Sequence, residues 1–138
     1  FLDRDLLVTA AICHDIGKIY EFSPFPENDY TDQGNLLGHI VIGTMMVRDH
    51  MNQIEGFPQS KKDELEHCIL AHHGELEFGS PKKPAICEAM ALSFADNVDA
   101  KMQTMKQAIY DSPNTKDMWK GYNKFLETNL RATTPEED

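Results

Sequence analysis

The pentapeptide His14-Asp15-Ile16-Gly17-Lys18 closes the apolar run Leu6–Cys13, and it constrains the fold more than any other stretch of this chain. Adjacent residues on a helix point about 100° apart, so an imidazole and a carboxylate side by side share a pocket only near a helix end. Gly17 supplies such an end. Residues able to bind a cation then recur at His39, at the adjacent pair His72 and His73, and at Asp96, at intervals long enough for these three places to belong to separate helices. The chain must therefore fold so that several helices deliver these side chains to one point. Nitrogen together with carboxylate ligation suits Zn, Mn, Fe and similar divalent ions.

The rest of the sequence reads as helical. Asp3 or Asp5 caps a first helix with Leu6, Leu7, Ala10, Ala11 and Cys13 on its buried face, and Gly17 lets the chain leave it. Pro24, Pro26, Asn28 and Asp29 are turn residues, and the flanking Tyr20–Phe22 and Tyr30–Thr31 pair as a short hairpin. Leu36 to Ile54 forms a long helix with Leu37, Ile40, Val41, Thr44, Met45 and Val47 inward. Gly38 and Gly43 within it mark close helix contact, since each otherwise costs about 1 kcal/mol against alanine. Gly56-Phe57-Pro58 breaks that helix. Ser60 with Asp63 reads as a capping box for a helix to His73, which Gly74 stops. Pro84 suits the first turn of the next helix, which runs to Tyr110 and ends at Asp111-Ser112-Pro113-Asn114. Trp119 to Leu130 reads as a last helix. The predicted fold class is all-α, a helical bundle with a short β-hairpin insertion. One domain is expected over residues 1–132, followed by an acidic tail over 133–138.

The length of 138 residues suits one domain with its own core. Cys13, Cys68 and Cys87 are odd in number and form no C-x-x-C pair, which points to reduced, core-filling thiols and a cytoplasmic setting. No apolar run is long enough to span a bilayer, and no signal peptide is visible. The first residue is Phe1, not Met, so the chain reads as a fragment lacking its upstream part. A domain that grips nucleic acid by its own surface usually carries a basic face, and the net charge of −10 argues against one here. A phosphodiester bound here needs cations, or a separate module to hold the polymer.

Each candidate residue also has a plainer role. An isolated His-Asp dipeptide is usually a surface or capping pair, and its placement after an apolar helix shifts the balance toward a ligand. Lys18 serves equally well as a solvated cation or as a group that neutralises a phosphate oxygen. His39, in NLLGHIVIG, carries no independent metal signal and by itself resembles a hydrogen-bonded boundary residue. His72-His73-Gly74 is stronger: one imidazole, with His72 favoured, ligates while its neighbour orients ligands or touches substrate. Asp96 lies mid-helix among Phe94, Ala95 and Val98, where a carboxylate is costly unless paired or bound to a cation. Asp99 reads better as an exposed acid or one that supports ligands or meets substrate, and Glu75 and Glu77 as outer residues of that kind or merely solvated. His50 and His67 sit in polar neighbourhoods and read as surface residues.

Taken in series, HDIGK, GH, HHG and AD with DA behind it resemble the HD-domain metal-dependent phosphohydrolases. The longer strings LLGHIVIG, HHGELEFGSPKKP and ADNVDAKM are most similar to the HD domain of YhaM-type 3′–5′ exoribonucleases, from about Leu7 to Met102. The resemblance implies two divalent transition metal ions (Mn, Fe, Co, Ni or Zn). His14, Asp15 and Asp96 would hold the first. Asp15 would bridge to a second, held by His39 and one of His72 and His73. Lys18 would face the phosphate, making Asp15 and Lys18 the catalytic pair. The family set begins with a histidine on an earlier helix, and residues 1–13 contain none, so that ligand and its helix are expected upstream of Phe1.

The implied reaction is metal-dependent phosphodiester hydrolysis of single-stranded RNA from its 3′ end, releasing nucleoside 5′-monophosphates. An upstream RNA-binding domain would supply the polymer grip, in keeping with the acidic charge. An oligomer is compatible with the sequence, and a membrane partner is not expected. Two competing readings are an HD phosphohydrolase of mononucleotides or cyclic dinucleotides, and a non-catalytic HD regulatory module. GELEFGSP after the His pair, in place of the GYP-like segment of cyclic-dinucleotide enzymes, ranks the former lower. The surviving ligand positions argue against the latter.

Overall fold

The computed structural model describes residues 1–111 and 117–134. Helix α1 (Arg4–Cys13) begins where the Asp3 carboxylate accepts the Leu6 N–H, so Asp3 and not Asp5 is the cap. Asp3 is further tied down by Lys61 at 2.8 Å and by its own N–H, which donates to Glu88 at 2.6 Å. The chain then turns through residues 14–17 into the short helix α2 (Lys18–Glu21). Phe22 and Tyr30 form an isolated antiparallel bridge with ring centroids 4.7 Å apart, so the expected hairpin there is reduced to a single rung.

Helix α3 (Asp32–Asn52) starts at Thr31, whose hydroxyl accepts the Gly34 N–H. It buries Ile40, Ile42, Thr44 and Met51 but leaves Leu37 and Met45 exposed. Helix α4 (Gln59–Ala71) is capped by Pro58 without a side-chain hydrogen bond. The expected capping box is absent: Ser60 already lies inside the helix, and Asp63 accepts instead from the Gln59 amide. His72 is the C-cap of α4, and a 3-10 turn follows at Leu76–Phe78. Helix α5 (Cys87–Tyr110) begins three residues beyond Pro84: residues 83–85 carry no regular secondary structure, and the Ala85 N–H is already held by the His67 ring at 2.8 Å. His67 is thus a structural link and not a free surface residue.

The chain divides into two compact units, Phe1–Asp96 and Asn97–Asp138. In the first, α2 packs on α3, α3 on α4 and α4 on α1. Its core joins Leu6 and Ala10 of α1, Met51 of α3, Leu65, Cys68 and Ala71 of α4, and Ala89 and Leu92 of α5. Arg48 grips the buried Glu66 with both nitrogens, Nε at 2.8 Å, and so pins α3 to α4. Of the cysteines only Cys68 is a true core residue; Cys13 is half-buried and Cys87 exposed, so the reading of all three as core does not hold.

In the second unit the expected last helix is a β-hairpin. Strand β1 (Trp119–Asn123) pairs antiparallel with β2 (Thr128–Arg131). The apolar residues at 119, 122, 126 and 130 mimic helical spacing, but two local features override it. Gly121 takes φ 86°, and the Asn123 side chain accepts the N–H groups of Phe125 and Leu126 to close a turn. The loop expected at 111–114 lies beyond residue 111 outside the described residues, as does the tail at 135–138.

Candidate metal centre

The His14–Asp15 pair sits one step past α1, in the turn that joins it to α2. Gly17 holds this turn, but not through an unusual φ, which is −62°. A Cβ at Gly17 would lie 2.0 Å from the His39 carbonyl oxygen and 2.6 Å from the Gly43 nitrogen. Two backbones therefore touch where only glycine fits, and Asp15 is carried against α3. Gly38 does need its freedom: φ is 73°, and it kinks α3 one residue before His39. The kink takes the His39 N–H out of the helical ladder, and Glu21 accepts it at 2.9 Å.

A common device orients the imidazoles. Nδ1 of His14 lies 2.8 Å from the Ala11 carbonyl, that of His72 2.7 Å from the Ile69 carbonyl, and that of His73 2.8 Å from the Phe78 carbonyl. Nδ1 of His39 lies 3.1 Å from the Glu21 carboxylate. Carbonyl and carboxylate oxygens only accept, so each Nδ1 is the protonated nitrogen and each Nε2 keeps its lone pair. This is the arrangement in which imidazoles bind cations.

The Nε2 atoms gather around Asp15. His39 and His72 approach its Oδ1 at 3.5 and 3.8 Å, and His14 approaches its Oδ2 at 3.4 Å and Asp96 Oδ1 at 3.7 Å. Such separations exceed hydrogen bonds. They match the spacing of about 3.4 Å between ligand atoms that sit about 2.1 Å from a shared tetrahedral ion. Asp15 Oδ1, His39 Nε2 and His72 Nε2 are buried with no hydrogen-bond partner. Ligand atoms of His39, His72 and His73 fall within 4.8 Å of one another. Orphaned donors of this kind, all nitrogen or carboxylate, fit a divalent transition cation.

The electrostatics agree. Burial pushes His72, fully inaccessible to solvent, down to about 4, so it is neutral and ligand-competent at neutral pH. Burial opposes ionisation of Asp15, but the neighbouring His14 and Lys18 outweigh it and hold the carboxyl well below the usual range. Asp15 in turn raises His14. Lys18 reaches Asp15 Oδ2 at 2.6 Å while its side chain stays 46% exposed.

The remaining predicted residues fall elsewhere. Glu75 forms an ion pair with Lys83 that closes the loop after His73, rather than facing the histidines. Asp99 is exposed on the part of α5 that belongs to the second unit. His50 is exposed, and its ring bonds the Met46 carbonyl. The sequence reading missed Glu21, which is 6% exposed and is the partner of both His39 nitrogens just described. Its signal was a lone acid set between aromatic residues in Ile19-Tyr20-Glu21-Phe22.

Comparison with known proteins adds an independent line. The family model for the HD domain matches residues 1–101. The 3′-5′ exoribonuclease YhaM of Bacillus subtilis (strain 168) is 46% identical over 110 residues, covering 78% of this chain and 34% of that protein. The protein of the same name from Bacillus pumilus (strain SAFR-032) is 43% identical over 108 residues, again 78% of this chain and 34% of the relative. The chain thus spans about a third of the length of the curated relatives it matches. No solved structure matches it significantly.

Proposed function

The chain belongs to the HD domain family, and from that premise we propose that it is the hydrolytic core of a metal-dependent 3′–5′ exoribonuclease that releases nucleoside 5′-monophosphates from single-stranded RNA. The observation that carries this reading is the set of buried, partnerless atoms Asp15 Oδ1, His39 Nε2 and His72 Nε2, facing one another beside the exposed cation Lys18. The similarity to the YhaM exoribonucleases supplies the substrate class.

We assign His14, Asp15 and Asp96 to one divalent ion, and Asp15, His39, His72 and His73 to a second. Mn is the first metal to test. The chemistry such ions supply is Lewis acidity, which polarises a phosphoryl oxygen and makes water acidic enough to be a nucleophile at neutral pH. Asp15 stays ionised across the physiological range, because Lys18 and His14 stabilise its charge. Lys18 is free on its solvent side to meet a non-bridging phosphate oxygen, which draws negative charge into an acidic domain. The Nδ1–H bonds of the histidines keep every Nε2 lone pair directed inward without a tautomer change. With a net charge of −10, the domain leaves polymer grip to a module outside this chain, in a cytoplasmic setting.

The test is hydrolysis by the intact, metal-loaded protein of short single-stranded RNA, a mononucleotide and a cyclic dinucleotide, compared side by side. RNA is expected to yield nucleoside 5′-monophosphates fastest. Asp15→Ala should remove most of this activity. Near-normal turnover by that variant with its metal still bound would sink the mechanism.

A further inference from the structure

Beside the metal centre lies an open cleft of about 670 Å³ that shares only Lys18 with the proposed hydrolysis. Lys18, Ile19, Phe22, Pro24, Phe25 and Asn28 line it. Its volume is in the range of small-ligand sites. Lys18 belongs to both places: its stem borders the cleft, and its ammonium lies 2.6 Å from Asp15 Oδ2.

The apolar side of the cleft is presented to solvent. Phe25 is 85% exposed and Ile19 63%, on a chain that had buried positions available for such residues. The loop carrying Phe25 is held at its base. The Ser23 N–H donates to the Asp29 carbonyl at 2.8 Å, the Asp29 N–H donates to the Ser23 hydroxyl at 3.1 Å, and Phe22 packs on Tyr30. The braced base lowers the backbone ordering cost when a flat ligand stacks on the ring.

We infer that this shelf seats a nucleobase of the RNA, the one attached to the nucleotide whose phosphate meets Lys18. A cation bordering an apolar, aromatic ledge is the pairing that a nucleotide demands, with phosphate at one end and a π-face at the other. Stacking on Phe25 is indifferent to base identity, since every base has a π-face. Phe25 is 85% exposed and takes no part in the hydrophobic core, so replacing it tests binding without emptying the core. The inference rests on the phosphodiester reading above, and its test separates the two.

The full protein, loaded with Mn, is titrated calorimetrically with adenosine 5′-monophosphate and with ribose 5-phosphate, and its RNA hydrolysis is measured in parallel. Wild type is expected to bind the nucleotide at least about ten-fold more tightly than the sugar phosphate. Phe25→Ala should bring the two to within about two-fold of each other, by weakening the nucleotide alone, and Phe25→Tyr should keep the preference. No preference in wild type overturns the shelf. So does a preference that Phe25→Ala leaves intact, or an equal loss for both ligands. If the preference behaves as expected but RNA is not hydrolysed, the shelf stands and the exoribonuclease reading falls.

Discussion

Glu21 decides how His39 faces the metal centre. Its buried carboxylate accepts from both the backbone and the ring Nδ1 of His39, and so aims Nε2 at Asp15. Partners of this kind typically govern 10- to 100-fold in metal affinity, approximately. Glu21→Ala should therefore weaken divalent-metal binding by about that factor, read by competition with a chromophoric chelator. His67 offers a second test at this scale. Burial, with Lys82 nearby, lowers it from the ordinary 6.5, and its unprotonated Nε2 accepts the Ala85 N–H. Below 6.5 the unfolded chain takes up a proton that the folded one refuses, so this contribution is present above 6.5 and is lost as pH falls toward the lowered folded value. Urea midpoints measured at decreasing pH should thus fall more steeply for wild type than for His67→Gln, the other histidines contributing equally to both.

Among the elements, the contact of the 14–17 turn with α3 sets the site. Adding a methyl group at Gly17 would place it 2.0 Å from the His39 carbonyl oxygen, a backbone atom with no rotamer to escape into. Gly17→Ala should cost about 3 kcal/mol or more, at or above the upper end of ordinary overpacking. It should also weaken metal binding, since Asp15 and His39 approach through this contact. Denaturant unfolding together with metal titration checks both. Much of this scale was legible beforehand: α1, α3, α4 and α5 appear near their expected positions because apolar spacing and punctuating Gly and Pro agree. The hairpin of β1 and β2 was not, because its apolar residues fit both periods and the decision lay with Gly121 and Asn123. The expected opening of α4 failed similarly, as a capping pattern in sequence does not reveal that Pro58 has already taken the cap position.

For the molecule as a whole, folding gathers buried ligand atoms without a hydrogen-bond partner, whose cost a bound cation would relieve. Metal binding should consequently stabilise the native state, by about 2.7 kcal/mol when free metal is 100-fold above its dissociation constant. Thermal unfolding should shift upward with added Mn and return with a chelator.

The sequence by itself made the expected chemistry legible: which residue types could carry it, that they stand at four separated places along the chain, and that an acidic domain needs cations or a separate module to hold a phosphodiester. His14, Asp15, His72, His73 and Asp96 stood out by their place in the sequence, whereas His39 in NLLGHIVIG carried no signal of its own and was legible only within the series HDIGK, GH, HHG and AD. Only the tertiary structure decided their arrangement. It chose which nitrogen of each imidazole is free, brought His73 into the cluster alongside His72, turned Glu75 away to Lys83, and recruited Glu21. The physical reason is that ligand direction depends on hydrogen bonds between groups remote in sequence and on one backbone contact at Gly17, and neither leaves a periodic trace along the chain.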